Sequence, residues 1–119
     1  MTVTIYHNPR CSKSRQSLKL LSDAGAEPTI VEYLKQPPSP VQIKTLADRL
    51  GVRVADILRT GEAEYKEATD LPALDDDAAL ADWVAVHPKV LQRPIVVNET
   101  TGAAVVGRPP ETVLQILDR

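Results

Sequence analysis

The sequence predicts an α/β fold: a four-stranded mixed sheet with a helical insertion between a βαβ half and a ββα half. Three observations carry this. β-Branched runs near residues 3–6, 29–33, 95–97 and 103–106 have strand length. Helical spacing of apolar residues marks 12–24 and 111–117. The central stretch, about 41–86, carries helical patterning almost throughout.

Residues 3–6 open the chain as a strand. Residues 12–24 follow as a helix, with Leu18, Leu21 and Ala24 three apart and Gly25 placed to stop it. Pro28 leads into the second strand. Two strands joined by one helix imply a right-handed crossover and parallel pairing. In Pro37-Pro38-Ser39-Pro40, Ser39 is the expected N-cap and Pro40 the first helical residue. Ile43, Leu46, Ala47 and Leu50 fall at i, i+3, i+4 and i+7, and Gly51 ends that helix. Residues 54–59 and 62–68 read as short helices parted by Thr60-Gly61. Residues 74–86 read as another, with Leu80, Trp83 and Val84 on its apolar side. Its opening Asp75-Asp76-Asp77 complements the positive end of a helix dipole. Arg93-Pro94 starts the third strand, 98–102 is a turn, and 103–106 returns antiparallel. Gly107-Arg108-Pro109-Pro110 closes the hairpin. Residues 111–117 form a last helix with Val113, Ile116 and Leu117 on one side.

At 119 residues the chain reads as a single domain, 1–119, able to bury a real core. Phenylalanine is absent and aromatics are 3%, so that core must be Leu, Ile, Val and Ala. A net charge of −2 argues against a general nucleic-acid binder. Apolar runs are too short to span a membrane, and the N-terminus enters a strand without a signal-peptide core. With one unpaired cysteine, the expected location is the cytoplasm.

That cysteine, Cys11, sits in Tyr6-His7-Asn8-Pro9-Arg10-Cys11-Ser12-Lys13-Ser14-Arg15, which reads as strand end, tight turn and first helical turn. Unpaired N–H groups and the helix dipole favour an anion there. Arg10, Lys13 and Arg15 add positive charge. Both influences lower a thiol pKa, and thiolate is the reactive form. Cys11-x-x-Ser14 puts a hydroxyl where a dithiol motif has its second cysteine, so an external thiol must resolve any adduct. Cys11, His7 and His87 lack the paired spacing of a zinc site, and no metal is expected. His87, before Pro88 near a helix end, is expected to cap.

The sequence resembles the glutaredoxin-coupled arsenate reductase family over nearly its whole length. The matching pieces are the run from Tyr6 to Arg15, Glu27-Pro28, Tyr33-Leu34, Leu58-Arg59, His87-Pro88, Arg93-Pro94-Ile95-Val96-Val97 and Gly107-Arg108-Pro109-Pro110-Glu111, in order and at fitting spacings. The resemblance implies a thioredoxin-like fold. It also implies an oxidoreductase in which Cys11 attacks arsenate, glutathione attacks the adduct as co-substrate, and glutaredoxin clears the mixed disulfide. No tightly bound cofactor is implied. Arg59, Arg93 and Arg108 map onto oxyanion ligands, and planar guanidinium forks suit a tetrahedral oxyanion better than lysine. His7 maps onto a histidine that tunes the thiolate; read from the residues, it can equally be a strand-end histidine with a structural hydrogen bond. Asn8, Ser14, Arg15 and Pro94 are expected to support the site, with Arg93-Pro94 cis and facing the cysteine.

Two departures stand out. Plasmid-type members carry a C-terminal extension missing here. The hairpin between Arg93 and Arg108 is longer by a pair of residues, which preserves alternation and leaves Arg108 on the same face. Two other readings remain: a glutathione-linked thiol reductase or deglutathionylase that keeps Cys11 without all three arginines, and a Spx-like regulator that binds RNA polymerase. Such regulators usually use a Cys-x-x-Cys switch, which Ser14 removes.

Overall fold

β1 (Val3–His7) lies between β2 (Thr29–Glu32) and β3 (Ile95–Asn98), and β4 (Ala104–Val106) completes a sheet in the order β2-β1-β3-β4. The computed structural model describes residues 2–117. β1 and β2 run parallel, with Thr4 opposite Thr29 and His7 opposite Glu32. β3 is antiparallel to β1, with Tyr6 opposite Ile95, and β4 is antiparallel to β3, with Ile95 opposite Val106. The mixed sheet predicted from sequence is therefore present, with strand ends shifted by one residue. β1 continues to His7, which brings that side chain into the sheet.

α1 (Ser12–Asp23) joins β1 to β2. It ends where Gly25 adopts a left-handed φ of 87°. Gly25 N–H then reaches the Ser22 carbonyl and Ala26 N–H the Leu21 carbonyl, each at 3.0 Å. The helix buries Ser14, Ser17 and Leu21, whereas Ala24 is exposed. The expected stripe through Leu18, Leu21 and Ala24 is thus rotated toward the two serines. Val3, Ile5, Leu21, Val96, Val113 and Ile116 form the core between sheet and helices. Each such aliphatic side chain gains about 1.5–3 kcal/mol on burial.

The last element differs from expectation. Pro110–Ile116 is a 3-10 helix, not an α-helix. Its bonds run i to i−3, as from Thr112 N–H to the Pro109 carbonyl at 3.0 Å. A two-proline entry, β-branched Thr112 and Val113, and a short length all weigh against a cooperative α-helix. Val113 and Ile116 still reach the core.

Leu34–Gln92 forms a compact unit of its own, separate from the sheet unit that runs to Tyr33 and resumes at Arg93. Within it α2 (Pro40–Leu50) packs on α4 (Asp77–Val86). Ser39 and Gln42 exchange side-chain-to-backbone bonds in a capping box at the start of α2, with Pro40 behind the cap. Residues Val54–Ile57 are 3-10, and α3 (Ala63–Lys66) is a single turn, both shorter than predicted. α4 begins later than expected because Asp76 caps it, accepting the Ala79 N–H at 3.0 Å. Ile43, Leu46, Ile57, Leu80, Trp83 and Val84 are buried in this unit. No helix among the described residues is long and apolar enough to cross a membrane.

Candidate active site

Asn8 organises the turn between β1 and α1. Its carbonyl accepts the Cys11 N–H, its Oδ1 accepts the Arg10 N–H, and its own N–H donates to Ser14 Oγ, each at 3.0 Å. Arg15 Nη1 donates to the Pro9 carbonyl at 2.9 Å and clasps the same loop from outside. The result places Cys11 at the N-cap of α1, with extended φ and ψ of −92° and 121°.

Arg93 and Arg108 meet this thiol. β3 and β4 pair Ile95 with Val106, so Arg93 and Arg108 lie opposite each other just beyond the paired ends. Arg108 Nε donates to the Arg93 carbonyl at 2.9 Å, and its Nη2 lies 3.5 Å from Cys11 Sγ. The Arg93 guanidinium also hydrogen-bonds the sulfur. Burial pushes the Cys11 thiol pKa up, but the Ser14 N–H, the Arg93 guanidinium, the Lys13 N–H and the Arg108 charge together carry it below its ordinary value. The side chain makes no cap hydrogen bond; the donors and charges around it favour the anion.

Arg93-Pro94 is cis, as expected, and Arg108-Pro109 is a second cis bond that sequence reasoning did not anticipate. The Pro94 carbonyl accepts the Gly107 N–H at 2.9 Å. A Cβ on Gly107 would fall 2.5 Å from Ser17 Oγ and 2.7 Å from Pro94 Cγ, so only glycine fits between them.

His7 and Ser14 are both buried. Ser14 Oγ lies 2.6 Å from His7 Nδ1. Burial lowers the His7 pKa, the Glu32 carboxylate opposite it raises it, and Arg15 lowers it further; the net direction is down. His7 is therefore a strand-end histidine with a short internal hydrogen bond. Glu32 was missed by sequence reasoning, although the parallel pairing it predicted sets that register.

Arg59 belongs to the Leu34–Gln92 unit. There its N–H donates to the Val90 carbonyl at 2.6 Å and its Nη1 to Gln92 Oε1 at 3.1 Å, with Glu62 3.9 Å from Nε. His87 ends α4, its N–H on the Val84 carbonyl, as expected of a capping residue. Its ring stacks on Trp83 at 4.2 Å and its Nδ1 lies 3.1 Å from Glu64.

A mixed β2-β1-β3-β4 sheet with one cysteine at the N-terminus of its first helix defines a thioredoxin-like α/β protein. Residues 6–116 match the ArsC family. The chain belongs to that family. It is 43% identical over 119 residues to an arsenate reductase of Haemophilus influenzae, covering 98% of this chain and all of that one. It is 38% identical over 115 residues to an arsenate reductase of Escherichia coli K12, covering 97% of this chain and 80% of that longer one. The solved structure of an arsenate reductase from Vibrio cholerae superposes with a TM-score of 0.86 at 46% identity, covering 98% of each chain.

Proposed function

We propose that this protein reduces arsenate to arsenite, with Cys11 as nucleophile, glutathione as electron source and glutaredoxin as the partner that restores the thiol. The observation that carries this reading is Arg108 Nη2 at 3.5 Å from Cys11 Sγ, on a thiol whose pKa is lowered. The activity named for relatives of 43% identity supports the choice of substrate.

The Cys11 thiolate attacks arsenic, a sulfur–arsenic bond forms, and one arsenate oxygen leaves as water after taking protons from solution. A glutathione thiolate then attacks Cys11 Sγ. A disulfide forms, the sulfur–arsenic electron pair passes to arsenic, and arsenic(V) leaves as arsenite. The glutaredoxin thiol attacks the glutathione sulfur of this mixed disulfide and frees the Cys11 thiolate. A second glutathione thiolate then displaces glutaredoxin from that glutathione, releasing glutathione disulfide, so two glutathiones supply the electron pair and the cycle needs no resident cofactor. Arg93 and Arg108 offer charged donors to the arsenate oxygens and to the charge that develops on them. The cycle needs a reduced thiol pool, which makes the cytoplasm the proposed compartment.

The test is turnover by purified protein with arsenate, glutathione and glutaredoxin, against a Cys11→Ser control. Arsenite release that disappears in the control is the expected result. No arsenite, together with normal clearance of a glutathione mixed disulfide at Cys11, would overturn it in favour of a deglutathionylase.

A further inference from the structure

Ser14 occupies the position where a dithiol motif would hold its second cysteine, and it is fully buried. Its Oγ accepts the Asn8 N–H at 3.0 Å and faces His7 Nδ1 at 2.6 Å. A backbone N–H can only donate. Among the described residues Nδ1 is the acceptor available to the Ser14 hydroxyl proton. The ring proton of His7 then belongs on Nε2. A proton on Nδ1 would aim two donors at one oxygen and leave the hydroxyl proton buried without an acceptor, at the full desolvation cost.

The charges around His7 agree. Glu32 faces it from β2 and Arg15 from α1, while Ile95–Asn98 of β3 holds no titratable group. Burial is the largest influence and favours the uncharged ring.

We propose that His7 is a neutral positioning residue that acts on Cys11 only through Ser14: its Nδ1 accepts the Ser14 hydroxyl proton and so holds the first turn of α1 with its N–H groups toward the thiolate. The cation at this thiol is then arginine, not imidazolium. The inference rests on Cys11 being an activated thiolate and is independent of what that thiolate attacks.

The test uses the full chain with nitrogen-15 in its imidazoles, and thiolate absorbance to titrate Cys11. In the unmodified protein His7 is expected to show a bare Nδ1 and a protonated Nε2. It should remain so below about pH 6.5, where a free imidazole gains its second proton. His7→Ala is expected to lower the Cys11 ionisation constant roughly three- to tenfold, the scale of one lost hydrogen bond. His7→Asn, whose side-chain oxygen can stand in as acceptor, should restore most of it. In a Ser14→Ala background His7→Ala should add nothing. A doubly protonated or Nδ1-protonated His7 at neutral pH would overturn the proposal, and so would an undiminished effect of His7→Ala without the Ser14 hydroxyl. Should a variant fail to fold, the tautomer of the unmodified protein still decides. Arsenate plays no part in these measurements, so this proposal and the proposed activity stand or fall separately.

Discussion

Arg108 reaches Cys11 across nearly the whole length of the chain, placing Nη2 3.5 Å from Sγ while its Nε–H is held on the Arg93 carbonyl at 2.9 Å. One guanidinium thereby ties the open end of the β3–β4 hairpin to the N-terminus of α1. The side chain is aimed by a backbone acceptor, so its charge is presented to the sulfur in a set geometry. Such preorganisation makes an electrostatic contribution worth more than the same charge on a free arm.

This relationship predicts the acidity of Cys11. Its thiol is expected to ionise below the usual value of about 8.5, measured by thiolate absorbance or by alkylation rate against pH. Arg108→Ala should raise that value, and Arg108→Lys should raise it less, because the point charge survives while the Nε bond is lost. A thiol unmoved by Arg108→Ala would mean that the backbone N–H groups of Ser14 and Lys13 and the Arg93 guanidinium suffice.

The same arginines set the expected kinetics. If they bind arsenate, Ala at Arg93 or Arg108 should cost about 2–4 kcal/mol of transition-state stabilisation, roughly a hundredfold or more in kcat/KM. The family resemblance assigns Arg59 the same role and the same loss. Clearance of a glutathione mixed disulfide by glutaredoxin should change much less, since that step has no tetrahedral oxyanion. Comparing both activities across the three variants at one ionic strength is the check. Survival of arsenate turnover within a few-fold in all three would remove them as its ligands.

The lowered pKa of His7 predicts an acid limb of stability. Above the unfolded value of about 6.5 both states hold a neutral ring, and His7 contributes no pH dependence. As pH falls below it, the unfolded chain binds a proton that the folded chain resists, so stability drops until the folded value is reached. Cys11 has the same sign at the other end: its contribution is present above the ordinary thiol pKa and is lost as pH falls through its lowered folded value. Urea midpoints at pH 7 and pH 5 should differ less in His7→Asn than in the unmodified protein. An equal drop in both would mean that His7 is not the group responsible.

Part of this site was legible before the structure, for a definite reason. Side-chain alternation leaves Arg108 on the same face across the longer hairpin, but alternation does not fix register, so the meeting of Arg93 and Arg108 at Cys11 was not legible. Ser39, Pro40, Gly25 and Gly51 announce helix ends through local chemistry alone. The buried hydroxyls of α1 were not legible. Ser14 and Ser17 look like solvent-facing polar residues in an apolar-periodicity reading, and Ser14 is buried only because Asn8 and His7 supply partners from the preceding loop and strand. The 3-10 geometry of Pro110–Ile116 was missed because its apolar spacing of three suits either helix.

Ser17 and Gly107 give the last prediction. Ser17 Oγ is fully buried and has no hydrogen-bond partner among the described residues. An unmade bond in that setting costs about 1–3 kcal/mol. Replacing the hydroxyl with hydrogen removes the penalty, and alanine is also the better helix former. Ser17→Ala should therefore be neutral or stabilising, unusual for a fully buried position. Gly107→Ala should destabilise by about 1–3 kcal/mol through overpacking, because its Cβ would meet Ser17 Oγ at 2.5 Å, Pro94 Cγ at 2.7 Å and Val113 Cγ1 at 3.1 Å. The pair should couple. Ser17→Ala relieves one of the three contacts, so the double variant should be more stable than the sum of the single effects. Urea denaturation of the four proteins measures the cycle, and strict additivity would show that the clash is absorbed elsewhere.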